Sequence, residues 1–339
     1  MQNGKNIESI DDVIEISNNY KKCEGKGIPL TWYRGQSKHW NLYTGVYRQN
    51  SDHFHTFIEQ AIEAYKNDPE YKDEDGNPLV MKCMMSQEYS MITAFMRQAT
   101  PFFTTDMTLV EKYFIMQHHG FPTRLLDWTA NPLIALYFAC SDEKYKKDDG
   151  YIYAINPKNF ISQKPIEKIT HMLNDMIDKD IINNKDTLDA CTRELQQLLD
   201  DYPDDVVGAE HPYVQFTVKL ITTPSVTFNI AIKCAAYATV ALVLPIHPTI
   251  LRGRLLQQDA RFTLDMPFIE QRNGERTRFF ESYITRHLIP SKMKAELLKR
   301  LECIGIDEAL VYYDLDSLSR SFKKIYTPNK LENCEKATT

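Results

Sequence analysis

Apolar residues recur at three- and four-residue intervals in seven stretches of the chain, which predicts helices there. These stretches are residues 11–22 (with Val13, Ile14 and Ile16), 54–66, 79–98, 109–119, 132–141, 291–303 (with Met293, Leu297, Leu298 and Leu301) and 315–326. Shorter apolar or alternating runs predict strands at 28–34, 123–126, 150–156, 239–246, 262–265 and 279–289. The methionines at 81, 84, 85 and 91 share a helical face and read as core filling. Helices and strands do not alternate regularly, so the expected class is α+β.

Punctuation supports several boundaries. Thr108 and Glu111 form a capping box ahead of the 109–119 helix, and Gly120 followed by Pro122 stops it. Asn131 as N-cap with Pro132 at the first helical position opens the next helix. Residues 165–205 change character: they are strongly acidic, with helical apolar spacing at Ile166, Ile169, Leu173, Met176, Ile177, Leu188, Leu195 and Leu198. This segment reads as an acidic helical insertion, placed at about 160–210. The chain divides into an N-terminal helical segment, 1–29, a main domain, 30–320, and a polar C-terminal tail, 321–339.

Composition narrows the class. The 339 residues are 43% hydrophobic and 25% charged, with a net charge of −6 and a pI near 5.9. Broad adhesion to nucleic acid or to membrane is therefore not expected. Seven scattered cysteines, in no CxxC or Cys/His spacing, read as reduced thiols rather than a zinc site or a disulfide frame. The polar start is unlike a signal peptide, and the longest apolar run, 235–245, is about half of the ~20 residues a membrane span requires. These features predict a soluble, cytoplasmic protein with no bound metal.

Chemistry concentrates in three places. The first is Tyr33-Arg34-Gly35-Gln36, where an arginine at a strand end, followed by glycine, suits close approach of a phosphate to the backbone. The second runs from Gln117, His118, His119 and Gly120 through Thr123, Arg124, Asp127, Trp128 and Thr129 into the 132–141 helix. It crowds hydrogen-bonding groups onto a helix end and a strand–helix corner. The third is 254–263, with Gln257, Gln258, Asp259 and Ala260 read as part of a strand. Signatures of P-loop NTPases, Rossmann dehydrogenases, zincins and α/β-hydrolases are missing. Arginines 252, 254, 261, 272, 276, 278 and 286 enrich the C-terminal third in positive charge, which could steer nucleic acid or simply be a solvated surface.

Together these motifs resemble the FRG domain family, named for a Phe/Tyr-Arg-Gly start. Tyr33 to Gln36 with Trp40, Leu42 and Arg48 is similar to its opening, residues 88–99 to its helix, 117–139 to its central signature and 254–263 to its Arg-Ile-x-x-Gln-Gln-Gly-x-Phe-Thr strand. His119, Asp259-Ala260 and Tyr313 depart from the usual pattern. The family looks like a remote relative of ADP-ribosyltransferases found in bacterial toxin and anti-phage systems. The resemblance therefore implies an ADP-ribosyltransferase-like split mixed/antiparallel sheet flanked by helices. It also implies an enzyme that uses NAD to modify a macromolecule, protein or nucleic acid, with a cognate antitoxin or regulatory protein as a further expected partner.

Carried over residue by residue, Arg34, His118, Asp127 and Gln258 become the catalytic candidates. Tyr33, Gly35, Gln36, Gln117, Thr123, Arg124, Trp128 and Thr129 become the NAD-binding candidates. Gln258 stands where such enzymes carry a glutamate, so Asp127 is the expected anion, with Arg124 as the cation keeping it ionised. Trp128 is open to two readings, a core plug or a stacking platform. Two other functions compete: a nucleotide sensor without chemistry, suggested by the neutral Gln258, and an interaction module built on the acidic insertion.

Overall fold

The computed structural model describes residues 1–24, 31–47, 57–72, 75–78, 80–104, 107, 109–156, 207–208, 243–247, 254–265 and 283–326. Thr108 of the capping box, most of the acidic insertion, arginines 252, 272, 276 and 278, and the tail from 327 lie outside the described residues. The class is mixed α+β, with one mixed sheet flanked by helices.

The strands are β1 (Gln2–Asn3), β2 (Trp32–Gln36), β3 (Leu125–Thr129), β4 (Gly150–Ile155), β5 (Val207–Gly208), β6 (Val243–His247), β7 (Ala260–Asp265) and β8 (Ile284–Ile289). Their order is β1-β8-β4-β2-β3-β7-β6-β5. The outermost pairs are parallel and every interior pair is antiparallel. The first five described helices are α1 (Ile10–Glu24), α2 (Phe57–Tyr65), α3 (Val80–Gln98), α4 (Leu109–His118) and α5 (Pro132–Cys140). After the one-turn α6 (Arg254–Gln257) come α7 (Ser291–Cys303), the short α8 (Glu308–Tyr312) and α9 (Leu315–Tyr326).

Strand alternation sends successive side chains to two separate cores. Tyr33, Ile152, Ala154 and Ile289 face one side, against Ile134 and Leu136 of α5, Val13 and Ile16 of α1, and Leu297 and Leu301 of α7. Trp32, Leu126, Trp128, Tyr153, Ile155 and Ile284 face the other. The N-terminal segment, set apart in the sequence reading, belongs to the first core through Ile7, Val13 and Ile16, while β1 extends the sheet beyond β8.

Helix α5 is apolar on nearly all sides, as a helix enclosed by its neighbours must be, and six of its nine residues are buried. It lies so close to the sheet that a Cβ on Gly35 would sit 1.8 Å from the Ala135 carbonyl oxygen, and one on Gly150 would sit 2.7 Å from that of Ala139. Gly35 is thus required by helix–strand packing, a constraint that the sequence reading did not include.

Two further expectations change. The strand placed at 123–126 occupies Leu125–Thr129, because Thr123 and Arg124 are consumed by side-chain and backbone contacts ahead of it. The strand expected across 254–263 divides into α6 and β7, with Asp259 in the left-handed region (φ 45°) between them. Residues 310–313 belong to a helical turn, closed by Tyr313 at φ 47°. Gly120 (φ 78°) and Gly305 (φ 83°) end α4 and α7, as the glycine placement predicted. Met91 packs beside Val46, Ala61 and Cys83, where α2 meets α3.

Gly35→Ala should destabilise the fold by about 3 kcal/mol, read as a lowered urea midpoint, since the clash falls on helix backbone rather than on a movable side chain. A second outcome follows from His287, which is 4% exposed and donates its Nδ1–H to the Lys5 carbonyl oxygen at 3.0 Å. Burial pushes its pKa below the ordinary 6.5, against an upward pull from that Lys5 contact. A depressed folded-state pKa stabilises the fold above the unfolded value, and that stability is lost as pH falls through the folded value. The loss of urea midpoint between pH 7 and pH 5 should therefore shrink in His287→Gln; an unchanged slope would exclude His287 as its source.

Candidate functional site

Strands β2 and β3 share one register pair, Tyr33 with Thr129. On its other edge β2 runs in register with β4 from Trp32 opposite Ile155 to Gln36 opposite Tyr151. β3 likewise runs with β7 from Leu125 opposite Leu264 to Thr129 opposite Ala260. Each strand is held by its outer neighbour, and the two separate beyond Tyr33 and Thr129. A cleft of about 410 Å³ occupies the fork.

Its walls come from four places: Tyr33, Arg34 and Gly35 of β2, Asp127, Trp128 and Thr129 of β3, Gln117, His118 and Gly120 at the C-terminal end of α4, and Phe138, Leu255 and Gln258. All four catalytic candidates, Arg34, His118, Asp127 and Gln258, thus line one hollow. The described lining contains one carboxylate, one guanidinium, one imidazole and two carboxamides, a set suited to a polar ligand carrying negative charge.

Arg34 spans the fork. Its Nη1 donates to the Asp127 carbonyl oxygen at 2.6 Å and lies 3.7 Å from Asp127 Oδ2. The Arg34 side chain is 15% exposed and that of Asp127 51%, so the pair faces the cleft rather than the core. Gln117 Nε2 lies 3.0 Å from each Asp127 carboxylate oxygen, and the Thr123 hydroxyl donates to Gln117 Oε1. With its carbonyl end so engaged, the Gln117 amide must turn its N–H groups toward Asp127. Gln117 and Thr123 therefore orient the carboxylate, Gln117 from the lining and Thr123 from behind it.

Arg124 does not reach this site. It is fully buried, and its Nε donates to both oxygens of Glu88 at 2.8 and 3.0 Å, with Nη2 2.6 Å from Oε2. Arg34 takes the place expected for Arg124 beside Asp127. The Arg124–Glu88 pair ties α3 to the segment entering β3, and the Arg124 backbone N–H donates to the Tyr113 hydroxyl at 2.9 Å. Burial pushes the Glu88 carboxyl up while the guanidinium draws it down, and burial together with Glu88 pushes the Tyr113 phenol up. Position 88 sits in a helical run whose apolar character gave no sign of a buried anion.

Gln36 is also away from the lining: it is buried and its Oε1 accepts from the Trp40 N–H at 3.3 Å. Trp128 borders the cleft but is 3% exposed, and its indole N–H donates to the Thr263 hydroxyl at 3.0 Å, which makes it a core plug. The Thr129 hydroxyl donates to the Gln258 carbonyl at 2.6 Å. Gln258 itself sits in the turn between α6 and β7, and its Nε2 donates to the Val311 carbonyl on α8 at 3.0 Å. The Asp259 carboxylate pairs with Arg261 at 2.8 Å. Phe138, Gly120 and Leu255 were missed as lining; each lies beside a residue singled out from the sequence.

With the geometry in place, comparison with known families gives one result: the FRG domain model matches residues 30–148. Residues 30–148, about a third of the chain, are thus an FRG domain. The match spans β2, α4, β3 and α5, and so contains every cleft residue except Leu255 and Gln258. No curated protein and no solved structure matched the chain. No helix among the described residues is long and apolar enough to cross a membrane.

The two ion pairs should respond unequally to mutation. Glu88→Gln should cost about 3–5 kcal/mol, because the Arg124 charge remains buried without its counter-ion, and Glu88→Met with Arg124→Met should recover much of that loss. Asp127→Asn, at a half-exposed pair, should lower the unfolding free energy from urea titration by less than about 1 kcal/mol. Equal losses in the two single variants would contradict this division.

Proposed function

We propose that the cleft binds NAD and transfers its ADP-ribose to a macromolecular acceptor. The observation that carries this reading is the convergence of Arg34, His118, Asp127 and Gln258 around one hollow in the β2–β3 fork. Cleaving the nicotinamide–ribose bond leaves positive charge on the sugar, as in glycoside cleavage. Catalysis then needs a fixed anion beside that carbon and a cation on the pyrophosphate. Asp127 is the carboxylate of the described lining, and Gln117 holds it in one orientation, so it faces the developing charge without reorganising. Arg34, a strand apart, suits the phosphates, for which a guanidinium is geometrically matched. His118 at the end of α4 is placed to accept a proton from the attacking group or to hold a ribose hydroxyl. The split sheet of an ADP-ribosyltransferase-like core is part of the same reading, and the β2–β3 fork supports it. A role as a toxin or anti-phage effector with a neutralising partner accords with it.

A second reading has its own observation. The Gln258 carboxamide, at the position expected to assist chemistry, is engaged by Val311. In that case the cleft senses a nucleotide and does not turn it over.

The test is incubation of the full chain with adenylate-labelled NAD and cell extract, beside Arg34→Ala and Asp127→Asn. The proposal expects label in protein or nucleic acid, lost at least a hundredfold in both variants. Thermal stabilisation by NAD with neither transfer nor nicotinamide release would instead establish the sensor. No stabilisation and no turnover would dispose of both.

A further inference from the structure

Helix α9 is inverted with respect to the usual amphipathic arrangement. Two of its three serines face inward, Ser317 being fully buried and Ser321 8% exposed, whereas Leu315, Leu318, Phe322 and Tyr326 are 83, 42, 50 and 71% exposed. Polar contacts fix it in this orientation. The Ser317 N–H donates to Asp314 at 2.7 Å, the Ser321 hydroxyl lies 3.3 Å from an Asp307 carboxylate oxygen, and Arg320 pairs with Glu308 at 2.5 Å. The four apolar side chains fall at intervals of three, four and four residues, a single stripe along the helix. Rings of Phe322 and Tyr326 stack on each other with centroids 6.0 Å apart, which keeps the stripe continuous.

A stripe of this kind marks a docking surface, and the chain itself carries a segment that matches it in length, spacing and charge. Ile166, Ile169, Leu173 and Ile177, outside the described residues, repeat the intervals of three, four and four. Both stripes cover eleven residue steps, about 17 Å of helix. The charges are opposite. Residues 315–326 contain Arg320, Lys323 and Lys324 against Asp316, whereas residues 165–180 contain Glu167, Asp175, Asp178 and Asp180 against Lys168 and Lys179. Apolar seams of matched spacing flanked by opposite charges are how two helices select each other. A second copy of α9 would match the spacing but oppose like charges, and it is the weaker occupant on that ground.

We propose that the apolar face of α9 is the docking surface for the acidic segment around 166–177 of the same chain, which lies against it as an amphipathic helix. The proposal is independent of NAD chemistry.

Photo-crosslinking tests it on the full chain. Phe322→p-benzoylphenylalanine, and separately Leu318→p-benzoylphenylalanine, is irradiated in an equal mixture of isotopically light and heavy protein, and the crosslinked peptides are sequenced by mass spectrometry. The expected product joins α9 to a peptide within 165–180, without light–heavy hybrids. Its yield should fall at least fivefold when Ile169→Asp and Leu173→Asp are added. A light–heavy hybrid, a crosslink to any other segment, or no crosslink from either position overturns the proposal.

Discussion

The closeness of α5 to the sheet is the constraint on which the rest of the molecule depends. The helix rests its backbone on two strands at glycines, Gly35 of β2 and Gly150 of β4. No larger residue fits there, and the approach sets three things together. It buries Tyr33 and Ile152 against α5, it brings Ser37 near enough to donate its hydroxyl to the Phe138 carbonyl at 2.8 Å, and it places the Phe138 ring on the cleft wall. Lys294 of α7 closes the other end by donating to the carbonyls of Ser37 and Tyr145 at 2.5 and 2.9 Å. With β2 held between α5 and β4, it cannot follow β3 past Tyr33. The fork is a consequence of that packing, and the cleft is the space the fork leaves.

Two arginine–carboxylate pairs sit on either side of this arrangement and differ in what surrounds them. Arg124 and Glu88 are withdrawn from water, so their geometry is fixed and removal of either leaves a costly charge. Arg34 and Asp127 meet at the cleft, where solvent screens them and where a ligand can exchange for one of the partners. The buried pair fixes where β3 begins, and β3 carries Asp127 to the exposed pair. The division also explains why Gln117 is needed: a half-exposed carboxylate has no packing to hold it, and two carboxamide contacts supply the orientation that burial would otherwise provide.

Much of this was legible in the sequence, and what was not has definite physical causes. The Asn131–Pro132 cap placed α5, and apolar spacing placed α7 and α9, within a residue of their observed ends, because such signals act over one or a few helical turns. The cleft set was readable because Arg34, His118, Asp127 and Gln258 lie in compact polar clusters. The partner of Arg124 was not, since Glu88 is thirty-six residues away on a helix whose contacts are set by tertiary packing. The packing role of Gly35 was not legible because a glycine that admits a helix backbone and one that admits a ligand look identical in one dimension. The break between α6 and β7 was hidden for a related reason: Asp259 adopts a left-handed conformation that short polar side chains tolerate without any distinguishing sequence mark.

The far wall of the cleft depends on elements well outside the 30–148 match. Gln258 is held by the Thr129 hydroxyl from one side and by the Val311 carbonyl from the other, so its position requires both β3 and α8. The Phe138 ring, on the same wall, meets the edge of Tyr312, again on α8, at 6.2 Å. Helix α8 leads directly into α9 through the left-handed Tyr313, and the Arg320–Glu308 and Ser321–Asp307 contacts bind the two helices together. A displacement of α9 is therefore borne by α8 and falls on a carboxamide and an aromatic ring of the cleft, while Arg34 and Asp127, fixed by β2, β3 and Gln117, stay in place. The arrangement separates a rigid charged half of the site from a half whose geometry follows the C-terminal helices.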